Sequence, residues 1–120
     1  MTDATPIRIL LVEDSEVYRD SLVFLLGMRS GVDVVAAVGD GAAAIRAAGD
    51  YAPDVVVLDY RLPDVDGAAV AGELGAPVVF LSASAGRDEY DAASSAGAAL
   101  VRKDEGIDAL LVAIRAAAGR

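Results

Sequence analysis

The chain has no cysteine and no histidine among its 120 residues. Without thiols there is neither a disulfide framework nor a thiolate metal centre. Without imidazole there is no Ser–His triad, no imidazole zinc ligand, and no histidine on this chain to carry a phosphoryl group. Positive charge is also scarce, with ten Lys and Arg against nineteen Asp and Glu for a net charge of −9. The basic residues are scattered from Arg8 to Arg120 rather than clustered, so nucleic acid and anionic membranes should be repelled. No apolar run approaches the length of a membrane span, and "MTDATPIRILLVED" lacks the basic start of a secretory signal. These exclusions lead to the expectation of a soluble, cytoplasmic chain. Only six residues are aromatic, and much of the 55% hydrophobic content is alanine. That balance favours helices packed closely on a sheet over a large ligand cavity.

What is present reads as one domain, long enough to bury most of its apolar surface. "IRILLVED" (7–14), "VDVVAAVGD" (32–40), "PDVVVLD" (53–59), "PVVFLSA" (77–83) and "AALVRKD" (98–104) are read as five short strands. Each is near-continuously apolar, the pattern of a strand covered on both faces. The segments between them are read as helices. "SEVYRDSLVFLLGM" places Tyr18, Leu22, Leu25 and Leu26 along one face, and "GIDALLVAIRAAAG" does the same with Ile107, Leu110, Leu111 and Ile114. "GAAAIRAAGD", "GAAVAGELG" and "GRDEYDAASSAG" have weaker patterns but carry alanine and glycine stops. Strands alternating with helices imply a parallel sheet with right-handed crossovers and helices on both faces. Such a sheet works outside the carboxyl ends of its strands.

Those ends are unusually polar. The first expected strand ends in Glu13 and Asp14, the third in Asp59, the fourth in Ser82 and the fifth in Lys103. Each has a structural reading. Asp14 or Ser15 can cap the first helix and Asp66 the third, Ser82 can bond a turn, and Lys103 can be a solvated charge. Together they are harder to dismiss, because carboxylates converging on one rim repel each other by several kcal/mol in a partly dry cleft. A divalent cation and an ammonium group are the natural compensation. With oxygen ligands only, the expected metal is Mg²⁺, with Mn²⁺ as a substitute, held by Asp14 and Asp59 and, through water, Glu13. Such a rim suits phosphoryl chemistry. Lys103, the Ser82 hydroxyl and the Ala83 amide would meet the phosphoryl oxygens, and Asp59 would be the nucleophile.

The motifs "VEDS" (12–15), "LDYRLPDVDG" (58–67), "FLSAS" (80–84) and "VRKD" (101–104), in this order, resemble the receiver domains of two-component response regulators. The likeness covers essentially the whole chain, and the spacing of Asp59, Pro63 and Gly67 is its most specific part. It implies a flavodoxin-like doubly wound (βα)5 fold with strand order 2-1-3-4-5, and one receiver domain over residues 1–120 without an output domain. It implies Asp59 as phosphoacceptor from a histidine kinase or phosphotransfer protein, and Mg²⁺ organised by Glu13, Asp14, Asp59 and the backbone carbonyl of Arg61. Lys103 would pair with the phosphoryl group, and Ser82 would move towards it. Arg61 and Ser84 would flank the attack path. The aspartate after Lys103 is similar to the subfamily that usually carries a helix-turn-helix output domain.

Three departures from the family pattern stand out. The segment from Gly67 to Pro77 is shorter by roughly two helical turns, so the third helix should be stunted. The stretch between Gly97 and Lys103 is about one residue short. Leu100 occupies the place of the usual aromatic switch residue. The expected role is therefore a signalling domain that catalyses only its own phosphorylation and dephosphorylation. A homodimer through the fourth helix, fifth strand and fifth helix is expected, with Asp88, Glu89, Asp91, Arg102, Asp108 and Arg115 pairing across it. The alternatives are a non-switching interaction module of the same fold and a Mg²⁺-dependent phosphohydrolase. The latter is disfavoured by Arg61, where such enzymes carry a second acid.

Overall fold

The computed structural model describes residues 5–83 and 86–120. Ser84, expected beside the attack path, lies outside the described residues. Strands and helices alternate as β1 (Ile7–Val12), α1 (Glu16–Gly27), β2 (Val32–Val38), α2 (Gly41–Tyr51), β3 (Val55–Asp59), α3 (Gly67–Ala71), β4 (Val78–Ser82), α4 (Arg87–Ser95), β5 (Ala99–Arg102) and α5 (Ile107–Ala117). A 3-10 turn at Lys103–Glu105 joins the last two. All neighbouring strands pair in parallel, in the order β2-β1-β3-β4-β5. This is the expected doubly wound sheet, and each strand lies inside its expected bounds.

Alternation along the strands splits the core in two. Ile9, Leu11, Val55, Val57, Val79 and Leu81 point to one face, where Leu22 and Leu26 of α1 and Leu110, Leu111 and Ile114 of α5 cover them. Leu10, Val12, Val56, Leu58, Val78 and Phe80 point to the other, under Ala44, Ala47 and Ala48 of α2, Val70 of α3 and Ala93 of α4. Small alanine side chains let α2 and α4 approach the sheet closely. In α5 the expected stripe holds, with Ile107 partly buried at its start. In α1 it is narrower than expected. Tyr18, Leu22 and Leu26 form one i, i+4 row, while Leu25 falls on the flank and is exposed.

The edge strands also differ from expectation. No residue of β2 is fully buried, and in β5 only Val101 is. Each has a neighbour on one side only, and its apolar residues are half-covered rather than sealed. The full double cover predicted for all five strands belongs to β3 and β4, and nearly so to β1.

Local chemistry fixes the ends of the elements. Ser15 caps α1, its hydroxyl accepting the Tyr18 amide at 3.3 Å. Asp40 caps α2 by accepting the Ala43 amide at 2.7 Å. A second carboxylate, Asp64, reaches back from the β3–α3 loop to accept the Gly41 and Ala42 amides at 2.9 and 3.1 Å. Those bonds hold its pKa below the ordinary aspartate range. Asp66 precedes α3, but its side chain makes no capping bond. The third helix is stunted as expected, and Leu74 beyond its end fills the core. An open groove of about 640 Å³ lies beside it, bordered by Ala71, Gly72, Ala98 and Ala117. The short stretch before Lys103 is accommodated by a left-handed turn at Gly97 (φ 72°), after which β5 pairs Leu100 with Phe80.

Ala52 ends α2 in the left-handed conformation at φ 46°, where a side chain is disfavoured. Replacing it with glycine should raise the unfolding free energy by about 0.5–1 kcal/mol, once the greater freedom of glycine in the unfolded chain is subtracted. Urea denaturation of A52G beside the parent, with an unchanged slope and a higher midpoint, checks this.

Candidate functional site

The carboxyl ends of β1, β3 and β4 and the turn after β5 meet in an open pocket of about 270 Å³. It is lined by Asp14, Asp59, Tyr60, Arg61, Ser82, Ala83 and Lys103. With Glu13, packed immediately beneath, the site residues expected from the sequence and described by the structure are brought to one place. Because Ser15 does the capping of α1, Asp14 is left exposed and aimed at the pocket. Lys103 is likewise turned into the site rather than into solvent, and Ser82 lines the pocket.

Asp59 closes a strand whose five residues are all buried, and it is itself 5% exposed. Its two oxygens are held separately. Oδ1 accepts the Arg61 amide at 3.1 Å, and Oδ2 accepts the Lys103 ammonium at 3.3 Å. Gly67 packs against the backbone here, its amide donating to the Tyr60 carbonyl at 2.7 Å. A Cβ at Gly67 would stand 2.5 Å from the Asp59 carbonyl oxygen. That close approach is the physical reason for a glycine eight residues after the aspartate.

Glu13 is fully buried. Its Oε2 accepts the Ser15 amide at 3.1 Å, and its carbonyl accepts from Arg19 at 2.7 Å. Oε1 is sealed from water, and its partner is the Lys103 ammonium, with which it ion-pairs. The Lys103 ammonium thus bridges Glu13 and Asp59, and it also lies 4.8 Å from the centre of the Tyr18 ring. Burial works against its charge, yet the bonds to the two acids prevail and raise its pKa.

One ammonium does not balance three acids. Glu13, Asp14 and Asp59 each offer an oxygen within 4.8 Å of the others. Burial, and then the neighbouring Glu13 carboxyl, push Asp59 up to about 7, against the restraining Arg61 amide. The neighbouring Glu13 carboxyl draws Asp14, which is near water, below its ordinary value. Asp59 therefore keeps its proton to a higher pH than an exposed aspartate would. An all-oxygen ligand set of three acids that one ammonium leaves short of positive charge fits a small hard dication.

Two features were missed from sequence. The Ser82 hydroxyl donates to Glu89 Oε2 at 2.5 Å, and Arg61 Nη2 meets Glu89 Oε1 at 3.2 Å. Glu89 is 8% exposed, so it points into the molecule and not onto a dimer face. Two of the other charges assigned to that face have partners within the chain. Arg29 pairs with Asp108 at 2.7 Å and Arg102 with Asp104 at 3.1 Å, all within the chain. An acid in a helix's first turn reads as a dipole partner, and only the chain path shows that it faces Ser82. Tyr18 read as core alone.

The model of the response regulator receiver domain matches residues 9–115. The chain belongs to that family. Among curated relatives, the transcriptional regulatory protein PdtaR of Mycobacterium tuberculosis is 36% identical over 122 residues, covering 98% of this chain and 59% of that protein. Protein-glutamate methylesterase/protein-glutamine glutaminase 5 of Anaeromyxobacter dehalogenans is 39% identical over 88 residues, covering 70% of this chain and 24% of that protein. The chain thus spans between a quarter and three-fifths of these relatives. Of solved structures, a LuxR-family two-component response regulator from Aurantimonas sp. SI85-9A1 superposes with a TM-score of 0.88 at 29% identity, covering 96% of this chain and 86% of that one. The receiver domain of NarL from M. tuberculosis gives 0.81 at 30% identity, covering 92% and 98%. Receiver domains interact with histidine kinases and phosphodonors and typically bind Mg²⁺. No helix of the described residues is long and apolar enough to cross a membrane.

Between the ordinary aspartate value of 3.8 and about 7, folded Asp59 keeps a proton that the unfolded chain has released. Its contribution therefore lowers stability as pH rises through that window. In metal-free protein at pH 8, D59N should be more stable than the parent by about 1–2 kcal/mol, allowing for screening at the open side of the pocket. Thermal melts should show the difference shrinking towards pH 4 and on adding Mg²⁺. G67A should lose about 2 kcal/mol or more through the backbone clash, read as a lower urea midpoint.

Proposed function

We propose that this receiver domain accepts a phosphoryl group on Asp59 from a phosphohistidine of a histidine kinase or phosphotransfer protein. The observation that carries the reading is the crowding of Glu13, Asp14 and Asp59 around an oxygen that one strand aims and Lys103 only partly neutralises. Glu13, Asp14, Asp59 and the Arg61 carbonyl are the groups that would hold Mg²⁺ or Mn²⁺. The ion supplies charge neutralisation to the acids and to the phosphoryl oxygens.

The protein's own groups then have distinct tasks. Asp59, having released its proton, attacks phosphorus through a carboxylate oxygen. A P–O bond forms as the donor's P–N bond breaks, and the imidazole nitrogen leaves with the electron pair. The Arg61 amide on Oδ1 keeps the carboxylate from rotating during attack. Lys103 exchanges its contact with Asp59 for one with a phosphoryl oxygen. The Ser82 hydroxyl and the Ala83 amide, both at the pocket wall, donate to the remaining oxygens. Exposed Arg61 borders the path by which water later removes the group.

In this reading the domain turns over only its own phosphoryl group and acts in the cytoplasm, where kinases phosphorylate such domains. It signals by a change of surface to a downstream partner. Dimerisation through α4, β5 and α5 stays part of the proposal. Asp88, Asp91 and Arg115 are the outward charges left for it once Glu89, Arg102 and Asp108 are engaged within the chain.

Incubation with labelled phosphoramidate and Mg²⁺ should place acid-stable, base-labile label on the parent. D59N and an EDTA-treated parent should take none, and K103A should label about 100-fold more slowly. Label persisting on D59N would refute Asp59 as acceptor.

A further inference from the structure

The bond between Ser82 and Glu89 is a buried contact that phosphoryl transfer does not itself require. Glu89 sits in the first turn of α4 with its carboxylate turned inward. One of its oxygens takes the Ser82 hydroxyl at 2.5 Å, and the other takes the Arg61 guanidinium at 3.2 Å. Both partners are rooted in the reactive site. Ser82 lines the pocket beside Asp59, and the backbone amide of Arg61 donates to Asp59 itself. Leu100, at the place of the usual aromatic switch residue, packs against the core cluster around Phe80. Among the described residues, this carboxylate provides a route from the site into α4.

A serine hydroxyl carries one proton and can donate one hydrogen bond at a time. Donation to Glu89 and donation to a phosphoryl oxygen are mutually exclusive. If Ser82 turns to the phosphoryl group, a buried carboxylate loses a short bond and keeps only an arginine whose side chain is 78% exposed. A buried charge short of donors is costly, and it regains them only by reaching water.

Resting on the proposed phosphorylation of Asp59, we propose that Glu89 is a positioning residue that holds Ser82 away from the acceptor site in the resting protein. Transfer of the Ser82 hydrogen bond from Glu89 to a phosphoryl oxygen releases the first turn of α4. No covalent bond changes in this step, and only the acceptor of one proton donor is exchanged. The same exchange sets the affinity for the phosphoryl group, because the Ser82–Glu89 bond opposes it.

Beryllofluoride with Mg²⁺, used as a phosphoryl mimic, provides the test. E89A, and E89Q as a variant of equal size should E89A fold poorly, are expected to bind it about 3- to 30-fold more tightly than the parent, with Mg²⁺ affinity alone unchanged. Placing E89A or E89Q in an S82A background should abolish the gain, a result that a general loosening of the fold would not give. In metal-free protein, S82A alone should shift the backbone NMR resonances of residues 87–92 along the line that beryllofluoride produces in the parent. Unchanged beryllofluoride affinity in the Glu89 variants, a gain that persists without Ser82, or α4 resonances unmoved by S82A would each overturn the proposal. A parent that takes up no beryllofluoride would overturn the phosphoacceptor reading beneath it.

Discussion

Three acids at one end of the sheet repel each other more than a single lysine can offset, and the rest of the site is arranged around that imbalance. Glu13 is fully buried, burial and Glu13 push Asp59 up to about 7, and Lys103 is drawn across both. In water these charges would move apart. Here β1 and β3 are adjacent, with Val12 paired to Leu58, so the acids that follow them cannot. The sheet's packing energy holds an electrostatic deficit in place, and the deficit is what makes a dication and then a phosphoryl group welcome.

The same imbalance explains the supporting residues. Ser15 both caps α1 and donates its amide to Glu13, so a helix start and an acid's orientation share one residue. Gly67 lets the loop after Asp59 fold back against the strand without a side chain between them. The Arg61 amide and the Lys103 ammonium take one oxygen each, so the Asp59 carboxylate has a defined orientation before any ligand arrives.

Much of this was legible in the sequence. The rim residues follow from local runs, which survive folding unchanged, while the strand order and the stunted α3 follow from the resemblance. What was not legible depends on three-dimensional path. The half-covered state of β2 and β5 follows from their edge positions, which an apolar run does not encode. Leu25 fell outside the core because α1 lies on a narrower stripe than its leucines suggest. Glu89 was read as a surface charge because its distance from Ser82 along the chain says nothing of the turn that brings the two together. Likewise Asp108 and Arg102 found partners in their own chain, Arg29 and Asp104, before any second copy could supply them.

The enclosure of β3, with every residue buried between two neighbours, leaves Asp59 no latitude in where it aims. Chemistry and address are thereby uncoupled. The helix faces and loops that a donor or a recipient recognises can diversify freely while the reacting atom stays put. Relatives built this way would share one reactivity and differ only in whom they meet, so fidelity between parallel pathways becomes a problem for the outer surface alone.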